Sequence, residues 1–180
     1  MSSKCRPVMT HAFHPEDTLF LDTNVWLSVF GPSKPGDKRS ASYSEAFARL
    51  LSAGSRVFID ILVVSEFVNT YARLKWKVEG KHVADFKDFR RSPAFQPIAR
   101  DIAADLKRVL IHCSWTEHAF DAVDLLAMVE EYAGGDSDIN DLAIVRICRN
   151  QRFTLITHDA DFAGQNVPIL TANPRLLRGN

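Results

Sequence analysis

Short apolar runs alternate in this chain with longer segments of helical periodicity, and this alternation limits the fold more than any other feature. Strand-length runs lie at residues 18–21, 56–59, 153–157 and 167–171. Apolar positions at helical spacing lie between them, at residues 25–30, 42–54, 61–77, 98–111, 116–132 and from about 138 onward. Because strands that alternate with helices form parallel sheets covered on both faces, we expect an α/β fold.

The periphery of the expected sheet is less well determined. Residues 109–113 fit either the end of a helix or an extra strand. The last run contains Pro168, which cannot donate a ladder hydrogen bond, so we expect that strand near an edge of the sheet. Residues 1–17 are polar, with two prolines, and we interpret them as a loosely held lead-in to a single domain over residues 18–180.

The composition fits one ordinary globular domain. The chain has 180 residues, of which 46% are hydrophobic and 24% charged, and this length suffices to bury a core. Twenty-two Lys and Arg balance 22 Asp and Glu. A net charge of zero argues against a scaffold that binds nucleic acid over its whole surface, but it leaves room for a local basic face.

The cysteines and the apolar runs bear on the compartment. Cys5, Cys113 and Cys148 are few and widely spaced, which indicates neither a disulfide framework nor a zinc site. The simplest interpretation is a reducing, intracellular environment. The first 14 residues contain no long apolar run, and no segment has the length of a membrane helix. We therefore expect a soluble, cytoplasmic protein with no membrane association.

Four carboxylates fall where such a fold would bring them together. Asp22 and Asp159 each follow an apolar strand run. Glu66 lies about two turns into the helix after the second run. Asp141 lies in the first turn of the helix that leads into residues 153–157. Since ligands of open parallel α/β sheets bind outside the carboxyl ends of the strands, these four acids are candidates for one site.

Unpaired carboxylates repel one another, so a cluster of them is costly unless a positive charge fills it. A hard divalent cation such as Mg²⁺ or Mn²⁺, which prefers oxygen ligands, is the natural partner. Such ions activate water and neutralise charge on a phosphoryl group. The acids therefore point to hydrolysis of a phosphodiester or a phosphomonoester.

Each acid also has a structural explanation. Asp22 and Asp159 suit turns, and Asp141 is favoured in a first helical turn by the helix dipole. Glu66 is the most informative of the four. It lies within the apolar segment 62–68, where a glutamate has little reason to occur unless it reaches a polar site.

Four segments, taken in order, resemble the PIN-domain nucleases, in particular the VapC-type toxins of bacterial toxin–antitoxin pairs. Residues 21–25 (Leu-Asp-Thr-Asn-Val) resemble the opening D-T-N of the family, and residues 64–67 (Val-Ser-Glu-Phe) its internal glutamate motif. Residues 140–144 (Asn-Asp-Leu-Ala-Ile) are similar to its D-x-x-I helix start, and residues 155–162 to its T-x-D-x-D-F turn. The agreement in order and spacing extends over roughly residues 18–173, and residues 167–171 resemble the closing strand.

The resemblance implies a three-layer α/β/α sandwich with a central, mainly parallel sheet of four or five strands. It implies a Mg²⁺- or Mn²⁺-dependent endoribonuclease that uses the four acids as catalytic residues and metal ligands, with Thr157 and Asn24 as supporting polar groups. It also implies an RNA substrate, an antitoxin partner and a homodimer.

The third acid is ambiguous, because Asp136 and Asp138 lie close to Asp141. Asp138 precedes Asp141 by about one helical turn and lies on a similar face. We prefer Asp141, because Ile144 then falls at the apolar position of the family. Asp161 is a further supporting candidate.

The chain departs from the compact toxins by two insertions, near residues 31–41 and 75–100. The first follows the Asp22 strand and is expected to border the site. The second includes the basic segment 75–91 with Trp76, Phe86 and Phe89. Cations and aromatic rings together can bind single-stranded RNA, and a solvated helical face is the alternative. His158, beside Asp159, is a candidate for a substrate contact.

Three other functions compete with this interpretation. One is a catalytically silent module of the same fold that binds RNA or protein, and another is a structure-specific DNA nuclease. The third is a phosphatase with an aspartate after its first strand. That class needs a second aspartate two residues further on, where this chain has Asn24.

Overall fold

Six short strands form one parallel sheet at the centre of the computed structural model, which describes residues 5–34, 36–116, 120, 122–135 and 137–178. The strands are β1 (Cys5–Pro7), β2 (Thr18–Leu21), β3 (Arg56–Ile59), β4 (Ser114–Trp115), β5 (Thr154–Ile156) and β6 (Ile169–Thr171). Their order in the sheet is β1-β6-β5-β2-β3-β4, and each neighbouring pair is parallel.

The helices cover both faces of this sheet. They are α1 (Thr23–Phe30), α2 (Lys38–Ser52), α3 (Ile61–Glu79), α4 (Phe86–Arg91), α5 (Phe95–Leu110), α6 (Ala122–Ala133), α7 (Ile139–Gln151) and α8 (Pro174–Arg178), with a 3₁₀ helix at Ala160–Phe162. Helices α1, α2, α3 and α5 contact one another, and α6 contacts α7. The chain runs from β2 through β3 to β4 and then returns to β5 on the other side of β2. Crossovers between parallel strands are right-handed as a rule, so helices α1, α2, α3 and α5 lie on one face of the sheet and helices α6 and α7 on the other. This arrangement confirms the α/β/α sandwich.

The number of strands is the part of this prediction that needs correction, because the sheet has six strands instead of four or five. The additional strand β1 lies in the expected lead-in and pairs with β6, Cys5 opposite Ile169. It separates β6 from the sheet edge, so β6 lies near an edge, as Pro168 indicated, but is not the edge strand itself. Pro168 precedes β6, and its carbonyl accepts a hydrogen bond from the N–H of Leu155 at 2.9 Å. The position at which proline lacks a backbone N–H therefore lies before the strand, and no hydrogen bond within β6 is lost.

The second additional strand settles the alternatives for residues 109–113. Helix α5 ends at Leu110, and a turn leads into the two-residue strand β4 at the far edge. The first residue of β4, Ser114, lies opposite Phe58 of β3. Neither additional strand contains the apolar run by which the other strands are recognised in the sequence.

Aspartates begin three of the helices around the site. The carboxylate of Asp60 accepts a hydrogen bond from the N–H of Leu62 at 2.8 Å at the start of α3, as expected for an N-cap. Asp138 caps α7 through the N–H of Asn140. Asp37 caps α2, which begins before the Ser42 position predicted from capping-box spacing. The predicted helix over residues 116–132 is described only as α6, since residues 117–119 and 121 lie outside the described residues.

Two central strands define the position of the site. Strands β2 and β5 are neighbours, with Leu21 opposite Ile156, and both of these residues are 1% exposed. From β2 the chain continues to β3, and from β5 it continues to β6 on the other side. The carboxyl ends of β2 and β5 therefore flank the topological switch point, the usual ligand crevice of open α/β sheets.

Two further findings concern the molecule as a whole. Within the described residues, no helix is both long and apolar enough to cross a membrane. Cys113 and Cys148 are free thiols.

Candidate active site

Asp22 follows β2 directly, and its carboxylate is held by the neighbouring strand. The hydroxyl of Thr157 donates to its Oδ2 at 2.6 Å, and the amide of Asn24 donates to the same oxygen. The N–H of Asp22 donates to the carbonyl of Ile156 at 3.0 Å, which continues the β2–β5 pairing. The side chain is only 5% exposed. A buried carboxylate with this geometry is fixed in place before any ligand binds.

Asn24 and Thr157 tie the two strand ends together. The Asn24 amide also donates to Oγ1 of Thr157 at 3.2 Å, and its Oδ1 accepts from the N–H of His158 at 2.9 Å. Oγ1 of Thr157 accepts from the N–H of Asp159 at 3.0 Å. The two residues that the resemblance implied as supporting groups thus connect Asp22 to the turn that carries Asp159.

Glu66 reaches the same region from α3. Its Oε2 accepts a hydrogen bond from the hydroxyl of Thr23, which is buried, at 3.0 Å. Burial raises the pKa of Glu66, and the charges of Asp138 and Asp159 raise it further, while the Thr23 hydrogen bond acts in the opposite direction. A glutamate within an apolar helix is therefore explained by its contact with the first turn of α1.

Asp141 lies in the first turn of α7, half-buried. Burial is the largest effect on its carboxyl group and, together with nearby negative charge, raises its pKa to about 7. The charges that act on it, in decreasing order, are those of Asp22, Asp159, Asp138 and Glu66. All the other candidate acids therefore act on Asp141.

Asp138 and Asp159 lie closer to the solvent. Asp138 is exposed, and its Oδ1 is engaged in capping α7. Asp159 is exposed at the turn after β5, where its Oδ1 accepts from the N–H of Asp161 at 3.0 Å. The charge of Asp159 nevertheless raises the pKa values of Asp22, Glu66 and Asp141. Such mutual influence requires that the acids lie within electrostatic range of one another.

The electrostatics of Asp22 show the balance in this cluster. Burial raises its pKa from 3.8 to about 6, and the charges of Glu66 and Asp159 contribute in the same direction. Hydrogen bonds from Thr157 and from the N–H of Thr23 favour the ionised form and limit the rise. A carboxyl pKa raised this far by burial and like charges is typical of functional sites, and a bound cation would stabilise the ionised form.

The donor set suits a hard cation but is not a closed chelate. All five acids offer oxygen, the ligand that Mg²⁺ and Mn²⁺ prefer. In the part of the chain that the structure describes, no three His, Cys, Asp or Glu side chains form a cluster that could hold a metal ion as they stand. Mg²⁺ keeps several of its waters, so the donors fit an ion held by few direct ligands and others through water.

Two further residues at the carboxyl ends of the strands support the site, and nothing in the sequence predicted their role. The hydroxyl of Tyr43, on α2, donates to the carbonyl of Thr157 at 3.0 Å and accepts from the N–H of Ala172 at 3.1 Å. The amide of Asn173 donates to the carbonyl of His158 at 2.6 Å. Both support the turn after β5, Tyr43 from a helix 114 positions before Thr157 and Asn173 from the segment that follows β6.

His158 is anchored on the same support. Its Nδ1 lies 3.0 Å from the hydroxyl of Tyr43, and the two rings meet edge to face. Burial and the charge of Arg39 lower the pKa of His158, against the opposing charges of Asp159 and Asp37. The lowered pKa favours the neutral form of the ring. Its contact with a substrate stays a prediction.

Residues 31–41, the expected first insertion, border the candidate site, as their position after the Asp22 strand indicated. Arg39 donates through Nη2 to the carbonyl of Asn24 at 2.7 Å and through Nε to Oγ of Ser28 at 2.9 Å. The insertion and α1 also line a cavity of about 320 Å³, together with Thr70 and Leu74 of α3. A basic residue within the insertion was the available sequence signal for Arg39.

Comparison with known proteins adds two findings. The family model described as "PIN domain" matches residues 19–166. Among solved structures, the chain is similar to VapBC2 from Rickettsia felis bound to a DNA fragment from their promoter, with 17% sequence identity and a TM-score of 0.54. That match covers 87% of this chain and 98% of the other, and at this identity it shows the fold alone. No match was found among the curated proteins.

Proposed function

The chain belongs to the PIN-domain family, and we propose on that basis that it is a Mg²⁺- or Mn²⁺-dependent endoribonuclease, the toxin of a toxin–antitoxin pair. One observation carries the proposal. Thr157 joins Asp22 to the turn that carries Asp159, and the charge of Asp159 raises the pKa values of Asp22, Glu66 and Asp141, which come from three other segments. A structural role in turns and helix starts would not require this convergence.

Asp22, Asp141 and Asp159 are the proposed metal ligands, and Glu66 contributes directly or through water. A divalent cation bound there would supply activated water and neutralise charge on the phosphoryl group. Asp141 is preferred over Asp138 because all the other acids act on its pKa, whereas the carboxylate of Asp138 already caps α7. The assignment is supported by the half-buried position of Asp141.

The surrounding residues prepare these groups for their tasks. The Thr157 hydroxyl and the Asn24 amide donate to one oxygen of Asp22 and so favour its ionised form. The Thr23 hydroxyl orients Glu66. Tyr43 and Asn173 fix the turn that carries Asp159. Each of these contacts reduces the reorganisation needed when a phosphodiester enters.

The choice of RNA, of an antitoxin partner and of a homodimer rests on the resemblance to VapC-type toxins, and the fold shared with the VapBC2 structure agrees with it. Helix α6 also leaves large apolar side chains exposed, at Leu125, Leu126, Val129 and Tyr132. Exposed apolar side chains that share a surface are typical of sites covered by another protein chain. The cytoplasmic location stays a prediction from the sparse cysteines.

The direct test is cleavage of RNA by the purified protein with Mg²⁺ or Mn²⁺. We expect Asp22→Asn to lower the rate on the order of 100- to 1000-fold, because it removes charge that stabilises the metal and the transition state. Glu16→Gln is the matched control, because Glu16 is exposed and precedes the amino end of β2 at the opposite edge of the sheet. Cleavage by Asp22→Asn at the full rate would contradict the proposal.

The same assay separates the competing functions. Preferential cleavage of DNA of equal sequence would replace the ribonuclease by a DNA nuclease. A chain that binds RNA, cuts neither nucleic acid and binds no Mn²⁺ in calorimetry would be a silent binding module.

A further inference from the structure

A cluster of cations lines a second cavity, of about 320 Å³, between α3 and α4. Its lining consists of Asn69, Arg73, Phe86, Lys87, Arg90 and Arg91. The four cationic side chains are exposed, and none of them takes part in the ion pairs found between described residues. In a chain with zero net charge, four cations around one cavity form a local positive field that attracts anions.

The ring of Phe86 holds part of this cluster in place. The guanidinium of Arg73 lies 4.5 Å from the ring centroid, and that of Arg90 lies 5.8 Å from it. The ring itself packs against Trp76 at a centroid distance of 5.5 Å. Cation–π contacts reduce the freedom of the two guanidinium groups, whose planar forks suit phosphate oxygens.

The cavity lies on the same face of α3 as the carboxylate site. Glu66, Asn69 and Arg73 have the spacing i, i+3 and i+7, which places them on one stripe of the helix. At a rise of about 1.5 Å per residue, Arg73 lies roughly 10 Å further along the axis than Glu66. A short stretch of single-stranded nucleic acid spans this distance.

The acids at the start of α4 lie outside the lining of the cavity. Asp85 and Asp88 belong to the same segment, yet neither lines it, and the carboxylate of Asp85 caps the helix through the N–H of Lys87 at 2.6 Å. The cations are therefore left facing the cavity, while the carboxylates lie outside its lining.

We propose that this basic cavity binds backbone phosphates of the RNA strand next to the bond that is cut. The inference rests on the proposed function and adds to it a second contact region, contributed by the insertion near residues 75–100. Phosphate contacts of this kind position a strand without reading its sequence. The cavity therefore sets the register of the strand relative to Asp22, whereas the base preference comes from elsewhere.

The test measures how salt weakens the binding of a labelled 12-nucleotide single-stranded RNA, by fluorescence anisotropy in the Asp22→Asn background with EDTA. Each phosphate contact contributes about 0.7 to the slope of log affinity against log salt. The double variant Arg90→Gln/Arg91→Gln should therefore flatten the slope by about 1.4. When the salt rises from 50 to 200 mM, the double variant should lose affinity by a factor about seven times smaller than the factor lost by the parent. Arg73→Gln should flatten the slope by about half as much.

The matched control is Arg56→Gln/Arg149→Gln. It removes one cation at the amino end of β3 and one in the last turn of α7, which leads to the amino end of β5. We expect its slope to equal that of the parent. Equal slopes for the control and the Arg90→Gln/Arg91→Gln variant would overturn the inference, as would a parent that does not bind the RNA. An oligoglutamate peptide that binds the cavity more tightly than RNA would assign it to an acidic protein segment and would also overturn it.

Cleavage by the otherwise unchanged protein is assayed separately, so that the two proposals can fail independently. A flattened slope without any cleavage by the protein that retains Asp22 would contradict the ribonuclease and support the phosphate site. Normal cleavage with unchanged slopes would support the ribonuclease and contradict the phosphate site.

Discussion

At the scale of single residues, the hydroxyl of Thr157 connects the parts of the site. It donates to Asp22, accepts from Asn24 and accepts from the N–H of Asp159. The side chain is fully buried, so water cannot replace these bonds. Its loss therefore affects both strand ends at once, without touching the proposed metal ligands themselves.

Thr157→Val should lower the affinity for Mn²⁺ about 10- to 100-fold, the usual effect of removing a group that orients a metal ligand. The variant keeps the shape of the side chain and removes only its hydrogen bonds. Thr157→Ser is the matched control, because it retains the hydroxyl and should bind Mn²⁺ nearly as the parent does. Calorimetry at pH 7 measures both, and equal affinities for the valine variant and the parent would exclude this role for Thr157.

Asp22 should make the metal-free protein less stable as the pH rises. Its folded-state pKa, about 6, lies above the reference value of 3.8, so the folded state holds its proton more tightly than the unfolded state. Its contribution is fully favourable below pH 3.8 and is lost as the pH rises through about 6. A shift of about two pKa units corresponds to about 3 kcal/mol.

Asp22→Asn should therefore gain stability relative to the parent between pH 4 and pH 7, by up to about 3 kcal/mol, when both are measured with EDTA. Urea denaturation at several pH values gives this difference directly. Glu16→Gln, an exposed change, serves as the control. If the difference in the free energy of unfolding between Asp22→Asn and the parent stayed constant from pH 4 to pH 7, the raised pKa of Asp22 would be refuted.

At the scale of secondary structure elements, helix α3 carries both the acidic and the basic contact regions. Its start is fixed by Asp60, which is 1% exposed and caps the helix through the N–H of Leu62. Asp60→Ala should cost about 1–2 kcal/mol in the free energy of unfolding. Asp85→Ala removes the cap of the six-residue helix α4 and should cost less, because that helix can fray alone. Denaturant unfolding measures both, and an equal or larger loss for Asp85→Ala would contradict this ranking.

The sequence predicted the elements whose burial leaves a clear pattern. Strands β2 and β5 are covered on both faces and therefore appear as continuous apolar runs, and α3 has a regular apolar stripe. Strands β1 (Cys-Arg-Pro) and β4 (Ser-Trp) contain no apolar run such as the one that marks β5 or β6. Their pairing depends on strands far away in the chain, so it could only be seen in the folded structure.

At the scale of the whole molecule, the parts of the candidate site that could not be predicted are those that depend on contacts between distant parts of the chain. Asp22 and Asp159 could be recognised as candidates because each follows an apolar strand, and Glu66 because a glutamate is unexpected within the apolar segment of its helix. Tyr43 gave no such signal, since its contact with Thr157 joins residues 114 positions apart. Only the topology, which brings α2 over the turn after β5, creates that contact.

The central claim is that the acids form one metal site at the carboxyl edge of the sheet. A crystal structure of the protein with Mn²⁺, with anomalous difference density measured at the manganese edge, tests it most directly. The account predicts a peak within direct coordination distance of Asp22 and of at least one of Asp141 and Asp159. Manganese bound elsewhere on the protein, with no peak beside Asp22, would contradict it.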